Sequence, residues 1–314
     1  MIARRDVLKL GVSTAAALAA APAAAQSARP RTRIVFLGTK GGPRVGVGAS
    51  NPANLVIVND TPFVIDCGMG VSRQLVNAGV PIPSVKYIFI SHHHSDHNLE
   101  YGNLFYNAWA AGLTTPIHSF GPKGIEAMTK IYWELNKFDV ETRIEDEGRP
   151  DPRPLLIAKD IAEDGVVLET DDVKVTAFRT PHPPIVDNFA YEFETADGTI
   201  VFSSDTAYNP KLAEFAHGAD VLVHEALYVP AVDRLVIKTR NGASLKQHLM
   251  ASHTATEDVG RIAAAAEVKV LVLSHLVPGD DPEVTDENWM EGVRKNFSGR
   301  IIVAKDLMHL ALPV

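Results

Sequence analysis

The chain has a single cysteine, Cys67, in 314 residues. An intramolecular disulfide is therefore excluded, and an oxidising compartment would neither help nor harm the fold. Basic charge is also scarce: 30 Lys and Arg stand against 38 Asp and Glu, a formal net charge of -8. The first twenty-five residues hold Arg4, Arg5 and Lys9 against Asp6, a local +2, so the remainder carries -10. A nucleic-acid partner needs a basic face, and this balance argues against one. Past the N-terminus, no stretch reaches the ~18 apolar residues that a membrane span requires. What the chain does have is 46% hydrophobic and 22% charged residues. That suits a globular protein with one large core or two fused half-domains.

The N-terminus, MIARRDVLKLGVSTAAALAAAPAAAQ, has a basic start, an apolar stretch from Val7 to about Ala21 and small residues at Ala23 to Ala25. It reads as a secretory signal over residues 1–25, cleaved near Ala25, ahead of one domain over residues 26–314. Arg4-Arg5 followed by Asp6, Val7, Leu8 and Lys9 resembles a twin-arginine motif, whose pathway exports folded, often metal-loaded proteins. The expected location is the periplasm, with no stable membrane span after cleavage.

Along the rest of the chain, apolar strand-like runs alternate with helix-like segments and short Gly/Pro punctuation. RIVFLG precedes the glycine-rich TKGGPRVGVG; NLVIVN and FVID are joined by a turn at Asn59-Asp60-Thr61-Pro62. PKGIEAMTKIYWELNK has helical spacing, with Pro122 expected at its start. Residues 139–165 are polar, acidic and proline-rich, and read as a linker or surface insertion. Both halves begin with hairpin-like strands and then alternate helix with strand. The expected fold class is α/β, a four-layer αβ/βα sandwich of two facing mixed sheets with helices outside.

Four apolar strands run into metal-competent residues: KYIFIS into His92, TIVFSS into Asp205, ADVLV into His224-Glu225, and KVLVLS into His275. Strand ends in layered α/β folds collect ligands, because loops converge there on a rigid support. The densest cluster is ISHHHSDHN, residues 90–98. His92, His94, Asp96 and His97 form H-x-H-x-D-H. Imidazole suits zinc and neighbouring transition metals, and alternate positions of an extended segment project to one side, so His92 and His94 are placed to grip one ion. Asp96 and His97 turn towards a second, while His93 points away as a structural residue.

H-x-H-x-D-H after an apolar strand, with FLGTKGGPR and FVIDCG before it, resembles the metallo-β-lactamase fold superfamily. The later SSDT (203–206), HEA (224–226), HTA (253–255) and LSH (273–275) are similar to its ribonuclease Z and arylsulfatase-like branch. The likeness spans the mature chain, although the long basic tRNA-holding arm of ribonuclease Z is not evident. It implies a first metal on His92, His94 and His182, a second on Asp96, His97 and His275, and Asp205 bridging them. His118, His217, His248 and His309 have no such context and read as structural or solvated.

The implied enzyme is an exported metallo-hydrolase with two Zn2+, or Mn2+ or Fe2+ in their place, acting on a small-molecule ester, a phosphodiester or sulfate ester. Two metals sharing a water would supply hydroxide at neutral pH. Asp96 belongs to the catalytic centre. His253 is expected to stabilise the transition state or protonate the leaving group, with Glu225 orienting it or supporting a metal-bound histidine. The alternatives are a lactone or carboxylic ester hydrolase and, from another class, a metal-dependent oxidoreductase of the same fold. Phe105, Tyr106, Trp109, Tyr132, Trp133, Tyr208 and Tyr228 either line an aromatic-accepting cleft or pack the core. Core packing better suits the helical spacing of the first five. Lys40 and Arg44 either hold an anionic group or sit in solvent. The oligomeric state is left open, a dimer included.

Overall fold

The computed structural model describes residues 31–45 and 48–314, so the leader expected over residues 1–25 lies outside the described residues. Strand β1 (Thr32–Gly38) sets the pattern for the interior. Its Ile34 and Phe36 face one layer while Val35 and Leu37 face the other, and all four are fully buried. Both faces of the strand are covered, which is why the run is uninterruptedly apolar.

The chain continues through β2 (Ala53–Val58), β3 (Thr61–Ile65), α1 (Val71–Asn77), β4 (Tyr87–Phe89), α2 (Ser95–Asn98), α3 (Tyr101–Ala110), β5 (Ile117–Pro122), α4 (Ile125–Leu135), α5 (Lys137–Glu147) and β6 (Leu156–Ile161). The second half runs β7 (Gly165–Glu169), β8 (Val173–Arg179), β9 (Phe189–Thr195), β10 (Gly198–Phe202), α6 (Pro210–Phe215), β11 (Val221–Leu227), α7 (Val232–Val236), α8 (Gly242–Ser252), α9 (Thr256–Ala265), β12 (Val270–Val277), α10 (Asp286–Arg294) and β13 (Arg300–Val303). Strand β14 (His309–Leu312) then returns to the first half.

Two seven-stranded sheets result, ordered β14-β1-β2-β3-β4-β5-β6 and β13-β12-β11-β10-β9-β8-β7. Both are mixed, with antiparallel strands leading into parallel ones. Their facing surfaces share one core, which includes Phe63, Phe89, Phe189, Tyr191 and Phe193. The outer face of the first sheet packs against α1, α3 and α4 through Leu75, Leu104, Phe105, Trp109 and Ile125. The outer face of the second packs against α6, α9 and α10 through Leu212, Val259, Ile262 and Trp289. These are the four expected layers, with helices outside.

Three local expectations change. Pro122 closes β5, and α4 starts at Ile125 after Gly124, because residues 117–122 extend the parallel ladder. Residues 139–165 are no linker. They hold most of α5 and the edge strand β6, which pairs parallel with β5. Their polarity is that of a solvent-facing helix laced by Arg143–Asp139 and Arg143–Glu147 pairs, followed by a sheet edge. Finally, His224-Glu225 and His275 do not end their strands but lie inside β11 and β12.

Candidate metal centre

The loop after β4 carries the densest part of the site. Asp66, just past the end of β3, accepts hydrogen bonds from Ser91 N at 2.8 Å and Ser91 Oγ at 2.9 Å, which fixes where the loop leaves the sheet. The far side of the loop docks on the second half: Phe189 N donates to Ser91 O at 3.0 Å. His92 and His97 are buried and His93 is exposed, its ring lying against Asn98 and the Lys123 carbonyl.

Side chains from both halves converge on this loop. His92 Nε2 lies 2.9 Å from His94 Nδ1, which lies 3.2 Å from His182 Nε2. These three, with Asp205, form one group able to hold an ion; Asp96, His97 and His275 form a second. Asp205 Oδ2 stands between them, 4.0 Å from His182 Nε2, 3.4 Å from His97 Nε2 and 3.1 Å from His275 Nε2. The structure thus brings together all seven residues expected to bind metal.

The residues behind the site hold these rings in place. The second ring nitrogen of each of three histidines is engaged: His92 Nδ1 with Ser91 Oγ at 3.0 Å, His97 Nδ1 with Asp66 Oδ2 at 2.8 Å, and His182 Nδ1 with Ser252 O at 2.8 Å. Such contacts fix the tautomer and the ring orientation that a metal ligand needs. Asn188 donates to the Asp205 carbonyl at 2.8 Å and holds that loop. His275 is re-aimed by a bulge. Pairing between β11 and β12 steps from His224↔Leu273 to Ala226↔Leu276, which leaves one extra residue on β12, and His275 takes a left-handed φ of 49°. Gly41 allows the close approach: a Cβ there would lie 2.7 Å from the His275 ring. The next residue, Gly42, at φ 84°, donates its N–H to Asp96 Oδ2 at 2.9 Å.

The electrostatics also suit cations. Burial holds His92 and His182 below the usual imidazole range, and burial together with His182 lowers His94 to about 4, so all three are neutral near pH 7. Around His97, burial favours the neutral ring, but Asp205, Asp66 and Asp96 outweigh it and raise the pKa well above the ordinary value. Three carboxylates thus face this ring, a place where a divalent ion fits. His97 Nε2, His275 Nε2 and Asp205 Oδ1 are buried polar atoms without hydrogen-bond partners, as expected of side chains disposed for metal.

Glu225 and His253 stand beside the two groups. Glu225 Oε1 accepts from Thr206 N at 2.9 Å and Thr254 N at 3.2 Å, and lies 3.1 Å from His253 Nδ1. It joins the loops after β10 and α8 while orienting one imidazole. Burial opposes charge on His253, yet Glu225, Asp205 and Asp96 raise its pKa to about 9. The His253 ring stacks on His275 at 5.6 Å between centroids, which sets it over the second group of ligands. His224 turns away, its Nδ1 2.7 Å from the Glu225 carbonyl.

Several other expectations are revised here. His248 is not merely structural or solvated: it lines the cleft with His94 and His253, 6.0 Å from the His94 ring and 5.9 Å from that of His253. No local signal marks it, because it enters only when α8 folds over the site. Asp66 was equally unassigned, although FVID repeats the apolar-strand-then-acid pattern of the Asp205 segment. Lys40 does not face an anion. It is buried, and its Nζ donates to the carbonyls of Gly42 at 3.2 Å and Arg44 at 2.6 Å, bracing the glycine-rich loop. Arg44 is exposed at the cleft. None of the seven candidate aromatics lines the cleft. Phe105, Trp109 and Trp133 pack the core.

A shared sandwich core, a histidine-rich loop after β4 and ligands converging from the second sheet define a metal-dependent hydrolase. The metallo-β-lactamase superfamily profile matches residues 48–275, and the chain belongs to that family. It is 27% identical over 278 residues to a ribonuclease Z of Mycobacterium bovis, spanning 87% of this chain and 96% of that one. It is 28% identical over 281 residues to the ribonuclease Z of Mycobacterium marinum, with 87% and 96% covered. Among solved structures, the metallo-β-lactamase fold protein YhfI from Bacillus subtilis superposes with a TM-score of 0.67 at 20% identity, covering 89% of this chain and 99% of that one. Human tRNase Z, short form, superposes with a TM-score of 0.64 at 18% identity, covering 90% and 100%. A diphosphatase from the PhnP family gives 0.61 at 15%, covering 90% and 99%.

Proposed function

We propose that this chain is an exported, dinuclear zinc hydrolase of a small phosphodiester or sulfate ester. The observation that carries the reading is the Glu225–His253 pair, whose Oε1 and Nδ1 lie 3.1 Å apart beside two candidate ligand groups with Asp205 between them. His92, His94 and His182, with Asp96, His97, His275 and Asp205, would hold the metal ions, which would supply Lewis-acid chemistry: activating water near neutral pH and neutralising charge on the attacked group. The protein's own residues do the rest. Gly42 N holds Asp96 in place, and Asp66 and Ser91 hold His97 and His92. Glu225 fixes the His253 ring, leaving Nε2 to give a proton to the departing alkoxide or a hydrogen bond to the attacked group.

The names of the relatives support phosphorus ester chemistry, since ribonuclease Z cleaves a phosphodiester. The net charge of -8 supports a small substrate over RNA. A panel of chromogenic phosphodiesters, sulfate esters, lactones and a cephalosporin, given to zinc-loaded protein, tests the reading. Turnover of the first two classes is expected. Turnover of lactones alone would favour the carboxylic ester alternative. Export rests on Arg4-Arg5: replacing both with lysine should trap the precursor in the cytoplasm, and normal export of that variant would sink the twin-arginine assignment.

A further inference from the structure

Outside the two ligand groups, the site opens into a cleft of about 360 Å3. This is at the lower end of small-molecule sites, which span roughly 300–1,000 Å3. Its floor is the catalytic centre: Asp96, Asp205, His253 and His275 all face it. One wall comes from α7 and α8, which fold over the site and carry Leu235, Leu245 and Leu249; Val277 and Pro278, at and beyond the end of β12, continue that wall. Leu249 and Val277 are buried in a small cluster of their own with Leu227, Val232 and Val236, and Leu235 and Leu245 pack against it while only partly covered. The cap is thus anchored by apolar contacts of its own and still presents aliphatic surface to the cleft.

Charge is sparse in this space. Apart from the floor residues and the imidazoles of His94 and His248, Arg44 and Asp280 are the charged side chains on the lining among the described residues, and both are exposed and of opposite sign. A second phosphate or a charged headgroup would find no net counter-charge there. Burying one against leucine side chains would be costly. An uncharged hydrocarbon group would instead remove both its own surface and that of Leu235 and Leu245 from water.

We propose that this cleft is a subsite for the apolar, uncharged alcohol half of the ester, with Leu235 and Leu245 as its specificity-determining residues. The inference rests on the ester-hydrolase reading above and narrows it: the substrate is an anionic ester of a hydrophobic alcohol, not a nucleotide or a zwitterionic headgroup ester. The acid portion sits at the ligand groups and the alcohol portion points out under α7 and α8.

The test is calorimetric binding of n-alkylphosphonates, methyl to hexyl, to the zinc-loaded full chain, with adenosine 5′-monophosphate alongside. Affinity should rise by up to about fourfold per methylene over the first few carbons, the factor that full burial of one CH2 produces. Leu245→Asp should flatten that slope to less than twofold per methylene, and Leu235→Asn serves the same purpose if the first variant does not fold by circular dichroism. A flat wild-type series in which methylphosphonate binds overturns the subsite and leaves the hydrolase reading standing. Adenosine 5′-monophosphate binding more tightly than hexylphosphonate overturns the subsite as well. Absence of binding by every phosphonate, methylphosphonate included, overturns both.

Discussion

In the first half, β1 to β3 run antiparallel and lead into the parallel strands β4 to β6; in the second, β7 to β10 run antiparallel before the parallel β11 to β13. From similar sheets the halves build unlike parts of one site. The first concentrates His92, His94, Asp96 and His97 in six consecutive residues, on one loop and the short α2 that it enters. The second spreads its contribution over separate places: His182 after β8, Asp205 after β10, Glu225 inside β11, His253 after α8 and His275 on a bulge of β12. A contiguous loop positions its ligands by local backbone geometry. A distributed set depends on the register of a whole sheet.

The comparison breaks most severely at Asp205, whose Oδ2 lies within 4.0 Å of His182 in one ligand group and of His97 and His275 in the other. Asp205→Ala should lose both metal equivalents and reduce kcat/KM by at least about 10³-fold, because the metals contribute several kcal/mol to transition-state stabilisation. His94→Ala, on the first-half loop, should lose only one equivalent. Elemental analysis of the two purified variants checks the contrast, and equal metal loss from both would show that the groups are not separable.

A smaller effect is expected at His253, which lies outside both the His92–His94–His182–Asp205 group and the Asp96–His97–His275 group. His253→Ala should keep its metal and its fold yet lose about 10²- to 10⁴-fold in kcat, most with high-pKa leaving groups. Glu225→Gln should show the same pattern more weakly. Kinetics on an activated nitrophenyl ester and an alkyl ester of the same acid measure it, and wild-type rates on both would remove His253 from the mechanism.

The first half is sharpened by Asp66, which touches His97 from behind. Asp66→Asn should cost about 10- to 100-fold in affinity at the second ion and less at the first, which Asp66 reaches only through Ser91. Competition with a chromogenic chelator resolves the two steps.

The smallest effect is one of pH on the metal-free protein. His94 is held at about 4 in the folded chain by burial and by His182, against an ordinary value of 6.5. As pH falls below 6.5 the unfolded chain takes up this proton first, so the folded state loses stability progressively down to about pH 4. Metal should be released over the same window, since protonated imidazole does not ligate. Denaturant melts of metal-free protein from pH 7 to 4 should show His94→Gln less sensitive than wild type.

The contrast between the halves also explains what the sequence made legible. His92 to His97 can be read chemically from spacing alone, because the chemistry is compressed into one loop. His182, Asp205 and His275 are lone residues in sequence; only the ordered resemblance to a family joined them, since sheet register brings them together. The apolar run of β1 and the turn read over Asn59-Asp60-Thr61-Pro62 were legible for the same local reason, although the turn itself is Asn59-Asp60, at φ 46° and 64°, and Thr61 and Pro62 already belong to β3. Residues 139–165 misled because a solvent-facing helix and an edge strand share the composition of a linker. His248 stayed invisible because its role depends on where α8 lands.

Strand β14 pairs residue by residue with β1, Thr32 opposite Leu312 and Val35 opposite His309. Nearby, the Asp306 carboxylate accepts hydrogen bonds from Thr39 N at 3.0 Å and Ser50 N at 2.7 Å, at the two ends of the glycine-rich loop. During synthesis every ligand has been made once residue 275 is added, yet the brace for the loop that holds Asp96 arrives only some thirty residues later, and the partner of β1 later still. A nascent chain therefore carries a full complement of metal-competent side chains before it has the frame to hold them. Premature termination close to the C-terminus should leave an open sheet edge and a loose, metal-hungry polypeptide, not a slightly shortened enzyme.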